Sequence, residues 1–362
     1  MPAGPAVTHP RRAAAALCEP GRLPLSARAR AEVARVAERY PMRIPPHLAA
    51  CIDWSDPRCP VRRQLVPDRR ELEPGGAADP LDEERFCLAP GVVRRFEDRL
   101  LAIVTHACPV HCRHCNRKRL WRRGGEHGLE VAGPEQIALA LRRAPGAREV
   151  ILSGGEPLLL SDRALGERLE AARAAPGVEL VRIHSRAPVS VPERITPALA
   201  RRLGRERPLW FVTHFNAARE VTPRAARAVA RLLQAGVPVL NQAVLLRGVN
   251  DSFAALEALG RALVRVGVKP HTLFQLDHAE GVLHFQVPLR RAVELVGALR
   301  RRASGLLVPH LLVDLPGRGG KVAVGPDTIR RWTRRGAWLR GADGRERFYF
   351  DGGAGGSAGA AW

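Results

Sequence analysis

The stretch LLAIVTHACPVHCRHCNRKR, residues 100–119, decides the fold. Its first six residues form an apolar run of strand length. The loop behind it carries Cys108, Cys112 and Cys115 in a C-x3-C-x2-C spacing. A closed zinc or iron–sulfur site takes four ligands, and the only further nitrogen donors at suitable spacing, His111 and His114, lie inside the loop itself. Three thiolates hold three irons of a four-iron cluster and leave the fourth iron open. An open iron can bind the amino and carboxylate groups of S-adenosylmethionine, so that one electron cleaves the sulfonium to methionine and a 5'-deoxyadenosyl radical.

Outward from this loop, further strand-length apolar runs follow: REVILS, VELVRIH, LWFVTHF, VPVLNQAVLL and HTLFQLD. They alternate with helical stretches such as SDRALGERLEAARAA and TPRAARAVARLLQAG. Thr222 and Pro223 open the second of these helices and Gly236 closes it. Strands buried on both faces, separated by helices, make a parallel sheet. Six such units predict a partial (β/α)6 barrel, whose chemistry sits at the C-terminal ends of the strands. The residues that stand there are the three cysteines, Gly154-Gly155-Glu156, His184-Ser185-Arg186, His214 with Asn216, and Asp277.

The expected organisation is a tail without fixed structure over residues 1–25 and an N-terminal helical region over 26–95. The barrel follows over 96–321, and then a C-terminal extension over 322–362 whose last dozen residues, DGGAGGSAGAAW, are of low complexity. A chain of 362 residues, 46% hydrophobic, can bury a large core. The formal charge of +22 comes from arginine spread along the whole chain, with lysine only at 118, 269 and 321. Spread charge argues against a nucleic-acid partner, which needs a clustered basic face. Seven cysteines, three of them too close to pair with one another, point to a reducing cytoplasm rather than a disulfide framework. The apolar run AAAALC is too short for a signal peptide, and no run of 18 apolar residues offers a membrane span.

From about Tyr40 to Asp327 the sequence resembles the lysine 2,3-aminomutase family of radical S-adenosylmethionine enzymes, through IDWSDP, CRHC, LSGGEPLL, RIHSRAPV, THFN, NQAVLLRGVND, SGLLVP and VDLPGRGGK. The resemblance implies a homo-oligomeric isomerase that moves the α-amino group of lysine to Cβ. Its implied cofactors are a 4Fe-4S cluster, S-adenosylmethionine and pyridoxal phosphate (PLP), with reduction by an external donor such as flavodoxin or ferredoxin. It places PLP on Lys321, expected on a flexible glycine-rich loop, with Arg95 and Arg99 at the phosphate and Phe96 where the family often has tyrosine. S-adenosylmethionine falls to Gly154, Gly155, Glu156, Ser185, His214 and Gln242. Arg117 is implied for the substrate carboxylate, and Asp277 and Asp314 for its distal ammonium. Glu156 stands where aspartate is usual, HTLFQLD replaces an aromatic-rich strand, and RIHSR resembles the branch acting on a lysyl group of elongation factor P. Arginine is a further alternative substrate, and a basic iron–sulfur protein that binds nucleic acid is the alternative outside this class.

Overall fold

A computed structural model describes residues 16–121, 128–325 and 327–351. Its centre is a ten-stranded sheet in which spatial order equals chain order. Seven strands run parallel: β3 (Arg99–Ile103), β4 (Glu149–Ser153), β5 (Leu180–His184), β6 (Leu209–Thr213), β7 (Val239–Val244), β8 (Lys269–Phe274) and β9 (His310–Leu315). Antiparallel strands flank them, β1 (Cys87–Ala89) and β2 (Val92–Phe96) at one edge and β10 (Gly320–Ala323) at the other.

Six helix-bearing crossovers join the parallel strands, so the six β/α units are present, with β9 added as a seventh parallel strand. The run HLLVDL, six residues long, carries His310 and Asp314 among its apolar residues. The helices begin where their capping chemistry directs: Ser161, Thr196, Thr222 and Ser252 each accept the amide of the third residue beyond them. Helix Pro223–Gln234 is bounded by Thr222 and by Gly236, whose φ of 74° ends it in the left-handed region. Among the described residues no helix is long and apolar enough to cross a membrane.

Strand alternation divides inside from outside. In β5, Val181 and Ile183 are buried, while Arg182 and His184 line an internal cavity. Among the described residues no ladder joins the first strands to the last. Arg95 at the end of β2 connects them: it donates to Leu315 O at 2.6 Å and Gly317 O at 3.2 Å, and pairs with Asp314 at 3.0 Å.

Four expectations change. Residues 16–25 are not a loose tail, since Leu17 and Ile44 exchange backbone hydrogen bonds and Leu23 is buried; residues 1–15 lie outside the described residues. The helical region ends at Phe86, where the β1–β2 hairpin begins. Lys321 lies on β10, opposite Asp314 in the ladder, because the short PGRGG turn lets antiparallel pairing resume at Gly320. The C-terminal extension folds into a second sheet, β11 (Ile329–Thr333), β12 (Gly336–Arg340) and β13 (Glu346–Phe350). Its expected low-complexity end lies almost wholly outside the described residues.

Candidate active site

The loop after β3 places Cys108, Cys112 and Cys115 on the wall of one cavity of about 510 Å3 that runs into the barrel. All three are free thiols. Burial pushes the Cys108 and Cys115 thiols up, with Cys112 adding to both, so a bound metal centre is what would ionise them. Among the described residues no three His, Cys, Asp or Glu side chains gather as a single metal ion requires. Thiols that each reach a different iron need no such convergence, so this donor set fits a cluster.

The loop is held from below by a buried charge network. Arg113 grips the Glu71 carboxylate and donates to Pro41 O at 3.0 Å and Tyr40 O at 3.1 Å. Lys118 Nζ donates to Glu71 Oε2 at 2.7 Å, Gly281 O at 2.7 Å and Arg113 O at 3.1 Å. Burial pulls the Lys118 amine down to about 8. All three side chains are essentially inaccessible to solvent.

The Gly-Gly turn after β4 owes its composition to this loop. A Cβ on Gly155 would lie 2.3 Å from Ala107 O, and one on Gly154 2.5 Å from Thr105 O. The amides of Gly155 and Glu156 donate to those same two carbonyls, Thr105 O at 2.7 Å and Ala107 O at 2.8 Å. They are therefore not available to a ligand, and the turn fixes the cysteine loop. Glu156 is likewise committed, accepting from Ser185 Oγ at 2.6 Å, Leu158 N at 3.0 Å and Arg186 N at 2.8 Å. Burial raises its carboxyl to about 7. Ser185 is thus a strut of the wall. His214 donates from Nδ1 to Gln242 O at 3.1 Å, since a carbonyl only accepts, and burial lowers it to about 4, so the ring is neutral. His214 and Gln242 both line the cavity.

Lys321, Asp277 and Asp314 line the same cavity. Lys321 is accessible and lines the cavity, with Nζ 5.0 Å from the Phe274 ring centre. Burial lowers its amine, helped by Arg182 and Arg95 and opposed by Asp314 and Asp277. That favours the neutral, nucleophilic form. Asp277 is raised to about 7, first by burial and then by Asp314, although Asn116 Nδ2 donates to it at 2.9 Å. Arg117 lines the cavity with Nη1 3.3 Å from Ser153 Oγ, while its other edge grips Glu83. Of the two arginines assigned to a phosphate, Arg99 lies over Phe96 at 4.2 Å and pairs with Asp98 at 3.0 Å. Arg95 also lines the cavity and is held by the β9–β10 hairpin and Asp314.

Residues 102–259 match the radical SAM superfamily. The chain is 40% identical over 299 residues to the L-lysine 2,3-aminomutase of Fusobacterium nucleatum, covering 82% of this chain and 70% of that protein. It is 39% identical over 309 residues to the L-lysine 2,3-aminomutase of Clostridium subterminale, covering 85% and 74%. The chain belongs to the lysine 2,3-aminomutase family. A glutamate 2,3-aminomutase from Clostridioides difficile is also similar, at 33% identity over 82% of this chain and 70% of that protein. Family membership makes this an isomerase that uses S-adenosylmethionine and an iron–sulfur cluster.

Several side chains that shape the aminomutase cavity escaped the sequence reading: Glu71, Glu83, Asn116 and Arg182. The two glutamates sit in charge-rich text, DRRELEP and LDEERF, where nothing local separates a buried carboxylate from a solvated one.

Proposed function

We propose that this protein moves the α-amino group of L-lysine to Cβ, giving β-lysine, with PLP as its third cofactor. The observation that carries this reading is one cavity bordered by three free cysteines, by Lys321 with its lowered amine, by Arg117 and by the Asp277–Asp314 pair. When bound, the cluster with S-adenosylmethionine supplies a radical able to take hydrogen from Cβ, and PLP supplies a carbonyl carbon and conjugated ring able to carry the migrating nitrogen.

In this reading the three cysteines hold the cluster, and Gly154, Gly155, Glu156, Ser185, His214 and Gln242 shape the wall beside S-adenosylmethionine. Lys321 offers its amine to PLP, with Phe96 and Arg99 close by. Arg117 presents Nη1 to the substrate carboxylate while Glu83 fixes its plane. Burial first, and then the neighbouring Asp314, raises the Asp277 carboxyl. An ammonium placed between the two carboxylates relieves their repulsion, whereas a glutamate side chain would add to it. Free thiols and a cluster with an open iron suit a reducing cytoplasm, and reduction calls for a one-electron donor of the flavodoxin or ferredoxin kind. A homo-oligomeric state is part of the same reading.

The test is anaerobic reconstitution with iron, sulfide and PLP, followed by supply of single amino acids. L-lysine should yield β-lysine, and Asp314→Asn should lower turnover at least about 100-fold, as loss of a buried charge partner worth about 3 kcal/mol would, with S-adenosylmethionine binding retained. Faster turnover of glutamate than of lysine overturns the two-carboxylate reading. Activity on a lysyl group of elongation factor P, or on arginine, with none on free lysine, moves the assignment to that substrate.

A further inference from the structure

Two residues beyond β5, Arg186 reaches across the barrel mouth to the cysteine loop. Its Nη1 lies 2.6 Å from Cys112 Sγ, and its Nη2 lies 2.6 Å from Glu220 Oε1 and 2.9 Å from Gln64 Oε1. The side chain is buried. Both anchors are themselves fixed. Glu220 Oε2 accepts from the amides of Asn216 at 2.7 Å and Ala217 at 2.9 Å. Gln64 Oε1 also accepts from Asn216 Nδ2 at 3.0 Å, and the Gln64 backbone carbonyl accepts from Arg113 N at 2.8 Å, inside the cysteine loop. The guanidinium therefore cannot turn away from the sulfur without breaking ion-pair and amide contacts on its far side.

Buried cations and carboxyls alternate around it. Arg113, Lys118 and Arg186 are buried beside the cysteines; Glu71 pairs with the first two and Glu220 with the third, and Glu156 accepts from the Arg186 amide. Of these groups only the Arg186 guanidinium reaches a cysteine sulfur, so it is the cation nearest the place where charge changes. Reducing a thiolate-held cluster adds a negative charge at that spot. In a site shielded from water a fixed cation stabilises the more negative state most, and hydrogen bonds to ligand sulfur act in the same direction.

We propose that Arg186 is a positioning residue for the iron–sulfur centre, which donates to the Cys112 sulfur and raises the reduction potential of the cluster held there. It thereby brings the centre within reach of a low-potential one-electron donor, the electron passing from that donor to the cluster. The inference rests on the reading that the three cysteines hold a four-iron cluster.

The experiment compares wild-type protein with Arg186→Gln, Arg186→Lys and Glu220→Gln, each loaded anaerobically with iron and sulfide. Iron is counted, and the midpoint potential is read by redox titration followed by paramagnetic resonance. Loaded Arg186→Gln should have a lower midpoint, with the reduced-to-oxidised ratio at fixed potential down about tenfold, or about 59 mV for one electron. Arg186→Lys should fall between it and wild type. Glu220→Gln, which leaves the guanidinium less neutralised, should shift the midpoint upward. A purely structural arginine would change how much iron is bound but not the potential of the loaded fraction. An unchanged midpoint in loaded Arg186→Gln overturns the proposal. Should that variant take up no iron, unchanged midpoints in both Arg186→Lys and Glu220→Gln overturn it equally. Wild-type protein that takes up no cluster removes the reading on which the proposal rests.

Discussion

Glu83 serves two arginines. Its carboxylate grips Arg117 through Nε at 3.0 Å and Nη2 at 2.6 Å, and Arg119 Nη2 stands 3.6 Å away. Burial alone would push this carboxyl up, but the Arg117 guanidinium holds it below its ordinary value. Removing the charge strands Arg117 beside the cavity without its counter-ion. Loss of one partner of a buried pair costs about 3–5 kcal/mol. Glu83→Gln should therefore lower stability in urea by about that much. In the loaded enzyme it should weaken substrate binding more than turnover, because Arg117 loses its fixed plane rather than its charge. A stability change below about 1 kcal/mol would show the pair to be solvent-screened instead.

At the scale of elements, two contacts decide where the chemistry can sit. The β4 turn abuts the β3 loop so closely that only hydrogen fits at residues 154 and 155. A methyl at Gly155 has rigid backbone on its far side, not a side chain that can swing away. Gly155→Ala should cost about 1–3 kcal/mol by overpacking and should displace the cysteine loop. Far-ultraviolet circular dichroism should stay near wild type while reconstituted iron falls well below wild type. Full iron loading would mean that the loop yields. The second contact is Arg95, which joins β2 to the hairpin that carries Lys321, strands that no ladder connects among the described residues. It couples the Lys321 hairpin to the opposite edge of the sheet and supplies Asp314 with a cation.

The whole molecule depends on its C-terminal sheet. Leu289, Val313, Leu315 and Val322 from the barrel are buried with Ala337, Leu339 and Tyr349 from β12 and β13. Tyr349 Oη donates to Leu276 O at 3.3 Å, next to Asp277, so the sheet also backs the cavity wall. Uncovering four large aliphatic side chains forfeits about 1.5–3 kcal/mol each, which together rivals the whole stability of a typical domain, about 5–15 kcal/mol. A chain ending at Gly325 should be insoluble or bind hydrophobic dyes strongly, as measured by soluble yield and dye fluorescence. A soluble, cooperatively folding truncation would show the barrel to be self-sufficient.

What the sequence by itself determined is whatever rests on neighbours along the chain. The cysteine spacing, the six β/α units, the caps at Thr222 and Gly236 and the family strings all lie within windows of a few to some twenty residues, where periodicity and turn chemistry operate. What the tertiary structure decided are pairings between distant segments: Arg186 with Cys112, Arg95 with Leu315 and Asp314, Lys118 with Glu71. With 58 lysines and arginines in the chain, all but three of them arginine, no local pattern tells a buried guanidinium from a solvated one. Burial is set by packing among all the strands together. The same holds for Lys321, whose glycine-rich context reads as a mobile loop. Only the ladder to β9 turns it into a strand residue facing Asp314, because hydrogen bonding between strands depends on register in space rather than on the composition of either strand.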